Sequence, residues 1–156
     1  MALNLIEGTT TPGKVKVGIV VSRWNSMITD KMLEGALKAL KGNGVDEDDI
    51  TVVKCPGSYE IPLTVQKLIE SKELDGIIAI GVVIRGGTPH FEYVCDAVNR
   101  GITDLILKYN KPVAFGVLTT DDVKQALERA GEKGNKGGEA ALALLEMISV
   151  DQKLTS

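Results

Sequence analysis

Apolar residues fall into two rhythms along this chain. Four short stretches are nearly unbroken: Val15 to Ser22 after Lys16, Ile50 to Lys54, Gly76 to Ile84, and Pro112 to Thr119. The unbroken one, Gly76 to Ile84, is the kind of run that belongs to a strand buried on both faces of a parallel sheet. Between them the apolar positions recur every three or four residues. From Met27 to Lys41 these are Met32, Leu33, Ala36, Leu37 and Leu40, and Gly42 and Gly44 end that helix. Ile61 to Ser71 reads as a helix with Pro62 in its first turn, after a turn at Pro56-Gly57-Ser58-Tyr59-Glu60. A long helix follows Pro89 to about Tyr109. Asp121 to Ala130 reads as a helix opening on two acids, and Glu139 to Val150 as a last one carrying Ala141, Leu142, Leu145 and Ile148. The Gly- and Lys-rich stretch from Gly131 to Gly138 reads as the loop between them.

Strands alternating with helices predict a parallel sheet covered on both faces. With right-handed crossovers, the expected fold is α/β, a flavodoxin-like three-layer sandwich of four parallel strands. A chain of 156 residues without a linker or repeat predicts one domain over 1–156. Within it, residues 1–12, containing Leu3-Asn4-Leu5-Ile6, form either a further short strand or an arm docking on a neighbour.

A net charge of −3, with no basic run, argues against general nucleic-acid binding. No apolar stretch reaches membrane-spanning length, and no basic n-region with an apolar h-region opens the chain. Cys55 and Cys95 form no CxxC, which suits a reducing, cytoplasmic setting. One histidine and two scattered cysteines make no convincing metal site.

That histidine, His90, marks the most informative segment, Arg85-Gly86-Gly87-Thr88-Pro89-His90-Phe91, where the third strand meets a helix. The two glycines let the backbone turn sharply and approach a ligand. Thr88 suits the helix N-cap and Pro89 the first helical position. Free N–H groups at a helix start make a natural anion site, and the helix dipole favours a neutral imidazole at His90. An anion cradle beside a proton acceptor is a small reaction centre, although a lone histidine is often a capping or packing residue.

In this fold the loops after the strands converge on one edge of the sheet. They carry Ser22-Arg23-Trp24-Asn25, Cys55 through Glu60, the His90 loop, and Thr119-Thr120. Trp24, the only tryptophan, is either a platform for a flat heterocycle or a packing residue closing the core. Ser58 and Glu60 are either polyol partners or a helix cap and a solvated acid. Cys55 lacks a second histidine to activate it as a nucleophile. Neither GxGxxG nor GxxxxGK[ST] occurs. Arg23 and Arg85 stand where a phosphoacceptor signalling domain needs acids, and Ser22-Arg23-Trp24-Asn25 is not a flavin phosphate loop.

Six segments, in order, resemble the lumazine synthases of riboflavin biosynthesis. They are Ser22-Arg23-Trp24-Asn25, Pro56 through Pro62, Gly81 through Phe91, Ala114 through Thr119, Glu128-Arg129-Ala130-Gly131, and Gly134-Asn135-Lys136-Gly137. The resemblance implies condensation of 5-amino-6-ribitylaminouracil with 3,4-dihydroxy-2-butanone 4-phosphate, giving 6,7-dimethyl-8-ribityllumazine, phosphate and water, with no cofactor and no metal. It implies that Trp24, where phenylalanine is common, stacks on the pyrimidine. Ser58, Tyr59 and Glu60 would face the ribityl chain, with Lys136 a weaker candidate for its far end. Backbone groups of Val82, Val83 and Ile84 would hold the pyrimidine edge. Gly87 and Thr88 would cradle the phosphate, and His90 would transfer protons. Phe115 and Arg129 would come from the adjacent subunit.

The same resemblance implies two small-molecule substrates, one phosphorylated, and a homo-oligomer with sites between subunits. A pentamer and a sixty-subunit shell both remain open, because the loop from Gly131 to Gly137 is one residue shorter than the form associated with shells. Riboflavin synthase would be a further partner; nucleic acid and membrane would not. A non-catalytic shell protein and a lumazine- or flavin-binding carrier are the alternative readings. Intact Glu60, His90 and Arg129 argue against the first.

Overall fold

The computed structural model describes residues 3–156. Four strands, β1 (Val17–Ser22), β2 (Ile50–Cys55), β3 (Gly76–Ile84) and β4 (Val113–Thr120), form one parallel sheet in the order β2-β1-β3-β4. Five α-helices cover it: α1 (Ser26–Gly42), α2 (Ile61–Ser71), α3 (His90–Tyr109), α4 (Val123–Arg129) and α5 (Lys136–Thr155). Short 3-10 turns at Glu47–Asp49 and Ser58–Glu60 complete the regular structure. This is the α/β three-layer, flavodoxin-like arrangement that the apolar rhythm predicts.

Alternation along the strands builds two cores. On one face Val17, Ile19 and Val21 of β1 and Ile78, Ile80 and Val82 of β3 pack under α1, α4 and α5, against Met32, Leu40, Ala126, Leu144 and Leu145. On the other, Val20, Ile77, Ala79 and Val83 pack under α2 and α3, against Ile61, Val65, Val98 and Ile102. Central β3 is buried from Gly76 through Val83, so every side chain on it must be apolar or very small. That explains the unbroken run.

Several boundaries differ from the sequence expectation: β1 starts at Val17 rather than Val15, α5 runs on to Thr155 rather than Val150, and three further differences have a visible cause. Helix α5 begins at Lys136, so Gly137 and Gly138 are helical rather than part of a loop. Tertiary packing overrides their poor helix propensity. A Cβ on Gly137 would lie 2.0 Å from the Met32 carbonyl oxygen, so only glycine lets α5 cross α1 this closely. Asn135 caps the helix through its side chain, accepting from the Gly138 N–H at 3.1 Å. Its amide also donates to the Lys31 and Ala130 carbonyls at 3.0 and 2.9 Å.

The two acids placed in the first turn of α4 precede it: Asp122 is the N-cap, its carboxylate accepting from the Gln125 N–H at 2.8 Å. Thr88 is not the cap of α3. Pro89 holds the cap position, His90 is the first helical residue, and the Thr88 hydroxyl accepts from the His90 N–H at 3.5 Å. Residues 3–12 form no strand in this chain, and Leu3, Leu5 and Ile6 are exposed.

Candidate active site

The carboxyl ends of β1 and β3 open onto a cavity of about 470 Å³. Backbone geometry past the strand ends builds its walls. The N–H groups of Arg23 and Trp24 donate to the Cys55 and Pro56 carbonyls at 2.8 and 3.0 Å, extending the β1–β2 ladder beyond both strands. Asn25 then turns the chain into α1 with φ 57°, a left-handed conformation that asparagine tolerates. The turn leaves Trp24 at the lip of the cavity, 53 % exposed. A large aromatic face held open there suits a flat ligand better than the closing of a core.

The opposite wall comes from the loop between β2 and α2. Ser58 is buried, and its hydroxyl donates to the Val82 carbonyl at 3.2 Å, tying that loop to β3. Its donor is therefore used within the fold, while its lone pairs remain able to accept. Gly81 makes room for this contact, since a Cβ there would lie 2.7 Å from the Ser58 Oγ. Tyr59 and Glu60 follow in the 3-10 turn, both exposed at the rim. Val82, Val83 and Ile84 form the floor. The Cys55 thiol is buried behind this wall, and burial pushes its pKa up, away from the thiolate a nucleophile needs.

The third side is the β3–α3 loop. Gly86, Thr88, His90 and Phe91 line the cavity, and Gly87 lies between them in the exposed loop. His90 is exposed, with its imidazole free of hydrogen bonds among the described residues. Arg85 sits at the root of the loop. Its side chain pairs with Glu92 and, at 3.1 Å, with Asp121, and its guanidinium stacks 4.4 Å from the Phe91 ring centroid. The hydrogen bond from Arg85 holds the Glu92 carboxyl below the ordinary carboxylate range. Nothing in the local sequence signals this cluster.

The cavity thus gathers Trp24, Ser58, Tyr59, Glu60, Val82, Val83, Ile84, Thr88 and His90 from four separate segments. It does not gather Phe115, Arg129 or Lys136. Arg129 ends α4 and Lys136 opens α5; both line a second depression of about 370 Å³ beside edge strand β4, with Thr119, Gly134 and Glu139. Phe115 is 39 % exposed on that strand. No lysine or arginine lines the first cavity, whose formal charge is the Glu60 carboxylate. The described residues hold no group of three or more His, Cys, Asp or Glu arranged to bind a metal, and no helix long and apolar enough to cross a membrane.

A parallel α/β sheet with an aromatic-lined cavity and a lone histidine at its carboxyl edge defines a small-molecule enzyme of the doubly wound class. Comparison with known families makes this specific. The model of the 6,7-dimethyl-8-ribityllumazine synthase family matches residues 14–152, and the chain belongs to that family. It is therefore a transferase of riboflavin biosynthesis, which sets aside the non-catalytic shell and carrier readings.

Proposed function

We propose that this enzyme condenses 5-amino-6-ribitylaminouracil with 3,4-dihydroxy-2-butanone 4-phosphate to give 6,7-dimethyl-8-ribityllumazine, phosphate and water. The pyrimidine stacks on Trp24, its edge held by backbone groups of Val82, Val83 and Ile84. The ribityl chain runs along Ser58, Tyr59 and Glu60. The butanone phosphate lies over Gly87 and Thr88, with its carbonyl toward His90.

The 5-amino nitrogen attacks the ketone, and loss of water leaves an imine. Elimination of phosphate and attack by the ribitylamino nitrogen close the ring, with loss of a second water. Each step moves protons between groups already held together. Proximity supplies much of the acceleration, and His90 serves as the acid-base group.

The observation that carries this proposal is the mismatch between cavity and substrate. The proposed phosphate subsite has N–H donors but no cation, while Arg129 and Lys136 stand in a separate depression on the edge of the sheet. A bound dianion calls for a charged, planar donor such as arginine. A second copy docked head to tail along β4 brings Arg129 and Phe115 of one subunit to the cavity of the next, with Lys136 toward the ribityl end. Repeated head-to-tail contacts close a ring. Five copies make that ring, alone or as the unit of a sixty-subunit shell; residues 7–10 lie on α5 and the C-terminal cap of α1 in their own chain, and exposed Leu3, Leu5 and Ile6 are left to dock on a neighbour. Riboflavin synthase, which consumes the product, is a natural partner in a shared cytoplasmic location.

Incubating the purified protein with both substrates tests the proposal. Lumazine formation with release of inorganic phosphate supports it; binding of either compound without turnover overturns it.

A further inference from the structure

The His90 loop has little packing of its own. Gly86 and Gly87 stand in open space, and residues 85 through 90 are all exposed. The His90 ring has no hydrogen-bond partner among the described residues to fix its tautomer or its direction. Something else must hold the backbone that carries it.

Among the described residues, Arg85 is the side chain that joins the two ends of that segment to each other and to the residue following β4. Its N–H donates to the Thr120 carbonyl at 2.8 Å, one step beyond the Ile84–Thr120 register of the β3–β4 ladder. Its Nε donates to Asp121 at 3.1 Å, and a terminal nitrogen donates to Glu92 in the first turn of α3. Its guanidinium also covers Phe91. Asp121 is itself held, its N–H donating to the Gln125 side chain at 2.8 Å, while the adjoining Thr120 hydroxyl donates to the Asp122 carbonyl at 2.9 Å. The Arg85–Glu92 pair therefore closes residues 86 through 91 into a stapled loop, and Asp121 anchors the staple to β4.

We propose that Arg85 is a positioning residue that fixes the first turn of α3, and with it His90, against the carboxyl end of β4. This rests on His90 being the proton-transfer group. Both ion pairs are about half exposed, so they add little to global stability. Their effect falls on geometry, where a displacement of about 1 Å costs up to roughly a hundredfold in rate. Planarity matters as well as charge, because the guanidinium forks between two carboxylates while stacking on a ring.

The test is a double-mutant cycle on the assembled enzyme. Arg85→Ala should lower kcat roughly ten- to a hundredfold with an unchanged melting temperature. Glu92→Gln should act in the same direction, and Arg85→Lys should recover only part of the loss. In a His90→Ala background, adding Arg85→Ala should change turnover by less than about twofold, because two residues acting as one unit are not additive. Equal losses in both backgrounds would overturn the proposal, as would full activity in both Arg85→Ala and Glu92→Gln. A weakened inhibition by inorganic phosphate at unchanged kcat would also overturn it, making Arg85 a direct anion ligand. If Arg85→Ala does not fold, Glu92→Gln carries the same cycle. Wild-type turnover in His90→Ala alone would instead remove the assignment of His90 beneath it.

Discussion

The cavity between β1 and β3 and the depression beside β4 lie at the same end of one sheet, yet they are built for opposite tasks. The first is apolar and aromatic, with a histidine at its rim and no lysine or arginine in its lining. The second is smaller and carries Arg129 and Lys136. Neither alone suits the proposed substrate pair of a flat heterocycle and a phosphorylated ketone. Under the proposed reaction, their difference teaches that the monomer would divide recognition into a ring-and-sugar half and an anion half. The proposal puts chemistry in the first half and charge compensation in the second.

The largest effect should come from the chemical half. His90→Ala should slow turnover by about a hundredfold or more, the scale of a lost acid-base group, with no change in melting temperature. Because the histidine is exposed and its ring is unbonded among the described residues, loss of the ring breaks no hydrogen bond of the fold. Steady-state kinetics on the purified variant check this. Turnover at the wild-type rate would remove the distinction between the two halves.

Arg129→Ala should act on the anion half. Losing a charge-assisted hydrogen bond costs about 1.5–3 kcal/mol, so the phosphorylated substrate should bind roughly ten- to a hundredfold more weakly. Binding of the pyrimidine should change little. Separate titrations of the two substrates measure the split.

The second depression also depends on how α5 is seated, since Lys136 opens that helix. A Cβ on Gly137 would lie 2.0 Å from the Met32 backbone, so Gly137→Ala should destabilise the fold by about 1–3 kcal/mol, the range for overpacking. The backbone shift it forces would move the first turn of α5 and Lys136 with it. Denaturant unfolding gives the first quantity; an unchanged midpoint would mean that the α1–α5 crossing yields more easily than its closeness implies.

The smallest effect concerns the stacking face. Trp24→Phe should leave pyrimidine affinity nearly unchanged, whereas Trp24→Ala should lose about 0.5–1.5 kcal/mol beyond the lost contact area. Affinity for the phosphorylated substrate should stay the same in both. Equal losses for the two substrates would make Trp24 a structural residue.

Sequence pattern alone reached most of the fold and most of the residues that line the candidate cavity. β3 was legible because a doubly covered strand admits no polar residue, and the glycines after Ile84 marked the turn. The start of α5 was not legible. Gly137 and Gly138 signal a loop by propensity, and only contact with Met32, more than a hundred residues earlier, makes them helical. Thr88 looked like a cap on local grounds, but the chain places Pro89 there and starts the helix at His90.

His90, Trp24 and the strand-end loops were visible because the chemistry of each is compressed into four or five residues. Arg129 and Phe115 had no such signal. An arginine near a helix end and a phenylalanine in a strand are ordinary, and only family resemblance singled them out. The Arg85 cluster was missed because Asp121 meets Arg85 only through the pairing of β3 with β4.

The division into two halves on different subunits is tested most directly by mixing them. Assayed with the phosphorylated substrate far below saturation, His90→Ala and Arg129→Ala should each fall at least about tenfold below wild type. Unfolded and refolded together, they form mixed rings in which some interfaces pair an intact His90 with an intact Arg129. Activity should then rise well above that of either variant refolded alone, following the fraction of such interfaces counted by native mass spectrometry. Mixed rings without restored activity would mean that Arg129 serves the cavity of its own chain, and would contradict a site shared between subunits.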